Sequence, residues 1–304
     1  MPDPVGPSAD LSRGQRLSLL GLVANSVLVG VKLAAGLLGN SYALIADAVE
    51  SSLDILGSFV VWRGLRIASK PADQDHPYGH GRAEQIAGII VALMLAAAAI
   101  LIALGALREM ASPHPPPAWY TLPVLLGVIA VKEALARVVG QASRRMNSAA
   151  LASDSWHHRS DAITSAAAAI GITVALVGGE PYSVADEAAA LFASVIILIN
   201  AWRLAQQPVA ELMDAHPPHI AEQARAVAGT VRDVGTVEKV LGRKIGLRYV
   251  LDMHVEVDPD MTVRDSHRVA HEVKDAILAA MPSVQDVLVH IEPLGGVRRG
   301  EPPQ

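Results

Sequence analysis

Two apolar segments of this chain carry the same pattern of ionisable residues. The segments are Asp47-Ala-Val-Glu50-Ser-Ser-Leu-Asp54 and Asp154-Ser-Trp-His157-His-Arg-Ser-Asp161. On a helix, residues four apart lie on one face a turn apart, so each segment presents a paired donor set. The pairs are Glu50 with Asp54, and His157 with Asp161. Matched pairs on two different segments suggest one site built between two helices.

These side chains are costly inside a membrane unless they share a counter-charge. An ionisable group at the centre of a hydrocarbon layer costs about 2.5–3.5 kcal/mol on insertion scales. One divalent cation, held by three carboxylates and an imidazole at about 2.0–2.2 Å, supplies that charge. We therefore expect Glu50, Asp54, His157 and Asp161 to form a metal site. The alternative is a set of buried hydrogen bonds or a proton relay without metal.

The elements that position these residues are membrane spans. The chain is 51% hydrophobic and only 18% charged, against about a quarter charged in ordinary soluble domains. A spanning helix needs about 20 mainly apolar residues. Six stretches fit: Leu17–Leu38, Tyr42–Ala68, Ile86–Leu107, Trp119–Val139, Ser155–Val177 and Ala185–Ala205. The two patterned segments are the middle spans of two three-span halves with opposite topology, as in an inverted repeat with its site near the midplane.

The distribution of basic residues predicts the orientation. Arginines and lysines precede the first span and lie between spans two and three and between spans four and five, while the opposite loops hold few. The positive-inside rule then places both termini in the cytoplasm. We predict a cytoplasmic tail at 1–16, a six-span transmembrane domain at 17–207, a cytoplasmic regulatory and dimerisation domain at 208–295, and a tail at 296–304.

The segment after about Pro208 changes character and predicts a small soluble α/β domain. Alternating apolar residues over 247–257 indicate a half-buried strand. Val269, Val273 and Ile277 form one apolar stripe on a helix over 263–281. With a helix at 218–232 and strands near 237–245 and 284–291, the order is α-β-β-α-β. The fold class is thus an α-helical membrane protein with six transmembrane helices, followed by this αββαβ domain.

These motifs resemble those of the cation diffusion facilitator family. The resemblance rests on the two patterned segments and on His76-Pro-Tyr-Gly-His80-Gly-Arg-Ala-Glu84. It implies a homodimer of six-span protomers, proton-coupled efflux of a divalent metal, and a metallochaperone-like cytoplasmic domain. Glu50 stands where family members commonly carry His or Asp. A site with fewer histidines is harder and admits Fe²⁺, Co²⁺ or Mn²⁺ more readily.

Two further groups are candidate metal ligands. Asp73, His76 and His80 lie in the loop between spans two and three, where the family has a second site. A Gly-Pro turn with solvated histidines is the alternative. The candidates in the soluble domain, where the family can bind metal between protomers, are Glu238, His254, His267, His290 and Glu292. Solvated surface histidines are the alternative there too.

Several function classes are disfavoured by the residues that are missing. The chain has no cysteine, so its metal sites use His and carboxylate, which suits zinc above all and then iron(II), cobalt, cadmium or manganese. The sequence has no Gly-Lys-Ser/Thr phosphate-binding loop, so transport driven by ATP is disfavoured. It also has no His-Glu-x-x-His motif of a metalloprotease, so we expect no enzyme activity and no catalytic cofactor. We expect a metal ion, protons, the lipid bilayer and a second copy as partners, but no nucleic acid, in a bacterial inner membrane. The alternative is a membrane metal-sensing or scaffold protein that does not transport.

Overall fold

The computed structural model describes residues 7–111, 116–146, 149–179 and 182–295. The side chains of residues 7–22, and of several residues near the start of the fifth helix, lie outside the described part. Six long helices fill the first two thirds of the chain. They are α1 (Pro7–Leu38), α2 (Tyr42–Ala68), α3 (Ala83–Met110), α4 (Thr121–Met146), α5 (Ala149–Gly178) and α6 (Ala185–Leu212). Each contains most of one predicted span, and most extend beyond it by several residues.

Three of the described helices are long and apolar enough to cross a membrane by length and composition. These are α3, the 161–178 part of α5, and α6, while Val23–Leu38 of α1 is a shorter apolar stretch. Helix α2 carries acidic residues along the part of its length that would cross the bilayer, which lowers its mean hydropathy. Large apolar side chains such as Leu93 and Leu101 are exposed on α3, as expected for surfaces that face lipid.

Small residues let the helices of the first unit pack closely. Ala43 and Leu44 of α2 are fully buried against Leu125 of α4 and Ile172 of α5. Gly171 lies at a close approach of α5 to α6, because an added Cβ would lie only 2.3 Å from the Cβ of Ala189. Such small-residue contacts are typical of helix packing in membranes, where backbones must approach for van der Waals contact. This packing fixes the faces of α2 and α5 that carry the ionisable pattern.

The soluble domain has the predicted order of elements. It consists of α7 (Pro218–Ala228), β1 (Thr236–Ile245), β2 (Arg248–Val257), α8 (Val263–Ala280) and β3 (Val284–Pro293). The sheet order is β1-β2-β3, with β1 antiparallel and β3 parallel to β2. Ile220 of α7 and Val273 of α8 pack with Met253 of β2 in one core. Both helices therefore cover the same face of the sheet and leave the other face open.

The described contacts divide the chain into two compact units whose boundaries differ from the sequence boundary at 207/208. One unit contains Met1–Val60 and Ile90–Leu204, and the other contains Val61–Ile89 and Ala205–Gln304. The second unit thus joins the loop between α2 and α3 to the soluble domain. Glu211 accepts hydrogen bonds from Gln85 and Lys244, both at 2.9 Å, and Arg82 pairs with Asp214 at 3.0 Å.

Candidate metal centres

A buried ion pair links α1 to α2 inside the first unit. The Nζ of Lys32 lies 2.6 Å from Oδ2 of Asp47, and the two side chains are 0% and 6% exposed. Ser165 of α5 donates its hydroxyl to the same carboxylate, at 2.9 and 3.0 Å from the two oxygens. Asp47 is therefore held by a cation and a hydroxyl at once.

A second buried lysine lies on α4. The Nζ of Lys132 pairs with the carboxylate of Asp161, and the lysine is 1% exposed. Sequence reasoning missed Lys132, although an ionisable residue inside an apolar span is itself a signal of a functional site. Ser51 of α2 lies between the two lysines, with its Oγ 3.1 Å from Nζ of Lys32 and 3.5 Å from Nζ of Lys132.

The carboxylates of the expected transport site are coupled to these lysines through Asp161 and Glu50. Glu50 and Asp54 are half-buried on α2, and the charges of Asp47, Asp54 and Asp161 all act on Glu50. Among the described residues, no three of these carboxylates bring their oxygens within 4.8 Å of one another. His157 belongs to α5, but its side chain lies outside the described residues, so the full set of four ligands stays a prediction.

The loop between α2 and α3 brings its three candidate ligands together. Oδ1 of Asp73 lies 3.2 Å from Nδ1 of His76, and Oδ2 lies 3.4 Å from Nε2 of His80. Metal bonds of about 2.0–2.2 Å in a tetrahedron place donor atoms about 3.3–3.5 Å apart. The backbone N–H of His76 donates to Asp73 at 2.7 Å. This bond, with the nearby imidazoles, lowers the pKa of the Asp73 carboxyl and keeps it ionised for a cation.

One hydrogen bond orients the ring of His80. Its Nδ1 lies 3.2 Å from the backbone oxygen of Pro71, and because a carbonyl can only accept, Nδ1 carries the proton. In this tautomer the lone pair of Nε2 faces the Asp73 carboxylate at 3.4 Å, so both groups can ligate one cation between them. Fixing one ring nitrogen through the other is the usual arrangement of metal-ligating histidines.

A third group lies on the open face of the sheet. Glu238, His254 and Glu292 bring their ligand atoms within 4.8 Å of one another. Nδ1 of His254 lies 2.8 Å from Oε1 of Glu292, and Nε2 of His290 lies 3.5 Å from the same oxygen. Burial opposes ionisation of Glu292, but the hydrogen bond with Glu238 and the nearby histidines outweigh it and lower the pKa of the Glu292 carboxyl.

A β-bulge explains how Glu238 joins this group. Val237 pairs with Val255 and Lys239 pairs with His254, so Glu238 is the one extra residue in β1. A bulge redirects a side chain that regular alternation would send to the other face. His254 and His290 are register partners on β2 and β3, which places both rings on the open face with centroids 5.0 Å apart.

Within one protomer His267 lies apart from this group, so its part in the site stays a prediction. It is exposed on α8, where its ring contacts that of His271 at 4.6 Å. The α8 stripe of Val269, Val273 and Ile277 packs on the covered face of the sheet. His267 and His254 therefore belong to opposite sides of the sheet. The sequence grouped them by residue type, because the helical face of His267 has meaning only once α8 is docked.

The fold and the sites define a class of protein. The chain combines a bundle of long helices, apolar on its exposed surface and charged within, with a small α/β domain. Among the described residues, two clusters of His and carboxylate groups lie in the unit that contains the α/β domain. The chain matches the family model of the cation efflux transmembrane domain over residues 18–213. It matches the cation efflux protein cytoplasmic domain over residues 217–294.

Several relatives are similar over most of this chain. The manganese efflux system protein MneP of Bacillus subtilis is 30% identical, over 92% of this chain and 96% of its own length. Metal tolerance protein C1 of Arabidopsis thaliana is 32% identical, and the match spans 92% of this chain but 62% of that protein. Magnetosome protein MamB of Magnetospirillum gryphiswaldense is 28% identical over 85% of this chain. The chain belongs to the cation diffusion facilitator family, and it is a multi-pass membrane protein of divalent metal cation efflux.

Proposed function

We propose that this protein exports a divalent transition metal from the cytoplasm in exchange for protons, through Glu50, Asp54, His157 and Asp161. The observation that carries the proposal is the presence of several half-buried acidic side chains on α2 and α5, whose charges act on one another, within the family's transmembrane domain. Carboxylates at this depth are costly unless a cation shares their charge. A transported metal ion would supply this positive charge each time it occupies the site.

The proposed arrangement in the membrane has six spans, α1 to α6, with both termini in the cytoplasm of a bacterial inner membrane. Three of the described helices qualify on apolarity alone. The other spans are supported by their lengths of 26 to 32 residues, because about 20 residues are enough to cross. The match to a cytoplasmic domain whose family model is named for dimers supports a homodimer.

Protons are the proposed counter-ion because of the ligand chemistry. A metal ligand must be deprotonated to bind, so loading releases protons and unloading takes them up. The ordinary pKa of a histidine, about 6.5, lies between the pH of an acidified exterior and that of the cytoplasm. We assign this exchange to His157, with Glu50, Asp54 and Asp161 sharing protons when the site has no metal.

Zinc is the first candidate for the transported metal, and manganese is the second. Any site of this kind binds zinc more tightly than manganese, and the imidazole of His157 increases the difference. Manganese is favoured by the three carboxylates and by the similarity to a relative named for manganese efflux. His157→Asp should therefore lower the ratio of zinc to manganese transport.

The other two clusters are proposed as regulatory metal sites. Asp73, His76 and His80 form one in the loop, and Glu238, His254 and Glu292, with His290 beside them, form the other. Their donor atoms already lie at distances that suit ligation. Because they lie in the unit that contains the soluble domain, metal at either site would sense the cytoplasmic concentration and stabilise a dimer.

The test is metal flux in proteoliposomes containing the purified full-length protein. Zinc, manganese, iron(II), cobalt and cadmium are offered separately and in competition. We expect flux of at least one metal, lost in Asp54→Ala and Asp161→Ala while the dimer remains folded. A protein that binds metal without flux would instead be a membrane metal sensor or scaffold. Wild-type flux in both variants would remove the assignment of the site.

A further inference from the structure

Two buried ammonium groups converge on one hydroxyl in the middle of the helical unit. Lys32 comes from α1, Lys132 comes from α4, and both reach Oγ of Ser51 on α2. The charge of Lys132 acts on Lys32, so the two ammonium groups repel each other. An arrangement that brings like charges together in a low dielectric is costly, and it persists because carboxylates surround it.

The two lysines are held very differently. Lys32 has a carboxylate, Asp47, that is itself fixed by two contacts from Ser165 and is almost fully buried. Lys132 pairs with Asp161, which is 14% exposed and is an expected ligand of the transported metal. Oδ2 of Asp161 is the oxygen that pairs with Lys132, so a metal ion bound by this carboxylate would compete with the ammonium group for the same negative charge. Asp47 is not an expected ligand, so the Lys32 pair meets no such competition.

The charges in this group leave room for one divalent cation. Among the described residues, three carboxylates act on the two ammonium groups and a fourth, Asp54, acts on Glu50, so two negative charges remain when all six groups are ionised. The carboxylates are Asp47, Glu50, Asp54 and Asp161, and the cations are Lys32 and Lys132. The lysines thus neutralise part of the site while it has no metal. They also prevent it from binding a cation too tightly to release.

We propose that Lys132 is a positioning residue that occupies Asp161 in the metal-free site and is displaced toward Ser51 when the metal binds. In this displacement the partner of Lys132 changes from the carboxylate to the hydroxyl 3.5 Å away. This inference deepens the proposed function and rests on it. Its consequence is that Lys132 weakens metal binding and speeds metal release, because the ammonium competes for the ligand.

The test measures metal affinity in full-length protein with Lys132→Gln, Lys132→Arg and Ser51→Ala. Zinc dissociation constants are measured by titration calorimetry at one fixed pH in nanodiscs, with flux measured in liposomes. Removing the competing charge should tighten zinc binding at least about tenfold and slow turnover, while Lys132→Arg should stay within about threefold of wild type. A merely structural lysine would give the opposite sign, because its loss would weaken binding.

Ser51→Ala supplies an independent arm. Without the hydroxyl, the displaced Lys132 loses its second partner, so zinc binding should weaken by about threefold to tenfold, in line with the cost of one hydrogen bond to a charged group. In the double variant with Lys132→Gln, the serine substitution should weaken zinc binding less than it does in the wild type, because only its contact with Lys32 then remains to be lost. If Lys132→Gln does not give a folded dimer, Ser51→Ala decides alone.

The outcomes separate this inference from the proposed function. Wild-type transport with unchanged or weaker zinc binding in folded Lys132→Gln contradicts the role of Lys132 alone. An unchanged dissociation constant in Ser51→Ala contradicts the displacement toward the hydroxyl. A wild-type protein that gives no flux of any metal contradicts the proposed function and, with it, the displacement.

Discussion

Asp47→Asn should destabilise the helical unit strongly, because it leaves Lys32 buried without its counter-ion. The pair is 2.6 Å long and nearly without exposure to solvent. Removing one partner of a buried pair costs about 3–5 kcal/mol. For a domain of about 200 residues, that lowers the melting temperature by about 6–20 °C. Replacing both partners, as in Lys32→Met with Asp47→Leu, should recover most of the loss.

The chain offers a matched control for this experiment. Arg137 and Glu133 form an ion pair of 2.7 Å on α4, but the arginine is 68% exposed. Exposed pairs contribute about 0–1 kcal/mol, so Arg137→Gln should lower the melting temperature by no more than about 2–4 °C. Melting is followed by size-exclusion chromatography of heated protein in detergent with chelator. Equal losses in Asp47→Asn and Arg137→Gln, or a double variant worse than either single one, would refute the reasoning.

Three further predictions concern the soluble domain. His254→Ala should weaken zinc binding at the sheet cluster at least about tenfold in calorimetry of the full-length protein, whereas the exposed His267→Ala should leave it unchanged. Ile277→Ala should destabilise the domain by about 2–5 kcal/mol, because the side chain is fully buried, and hydrogen exchange of β2 measures this. The pKa of Glu292 is lowered by folding, so its contribution to stability is present above the unfolded pKa of about 4.3 and is lost as the pH falls through the folded value. Protection of β3 at pH 7 and pH 4 should therefore differ less in Glu292→Gln than in the wild type.

Much of the architecture could be predicted from local sequence signals. Runs of apolar residues predicted the positions of all six long helices, and alternation predicted β1, β2 and β3 to within about two residues at most ends. The helices extend further than the apolar runs because their ends continue in polar residues, as α4 does to Met146. Helix α7 ends earlier than predicted, at Ala228, because the N–H of Gly229 closes the helix onto Arg225.

The parts that sequence could not give all depend on distances between elements. The pairing of Lys132 with Asp161 joins positions 29 residues apart and follows only from the packing of α4 on α5. The place of Glu238 in its cluster depends on the β-bulge in β1, which no alternation pattern indicates. The separation of His267 from His254 required the face on which α8 docks. The loop group was different, because Asp73, His76 and His80 are close in sequence and meet within one turn.

The central claim, that metal export is driven by protons through this site, is tested most directly by zinc movement at equal zinc concentrations on both sides of a liposome. The protein is reconstituted, the exterior is acidified so that protons flow inward, and internal zinc is followed with an impermeant indicator. We expect internal zinc to fall below the external concentration as protons enter, with no change in Asp54→Ala or after a proton ionophore is added. Internal zinc that stays equal to external zinc, whatever the proton gradient, would contradict proton-driven export.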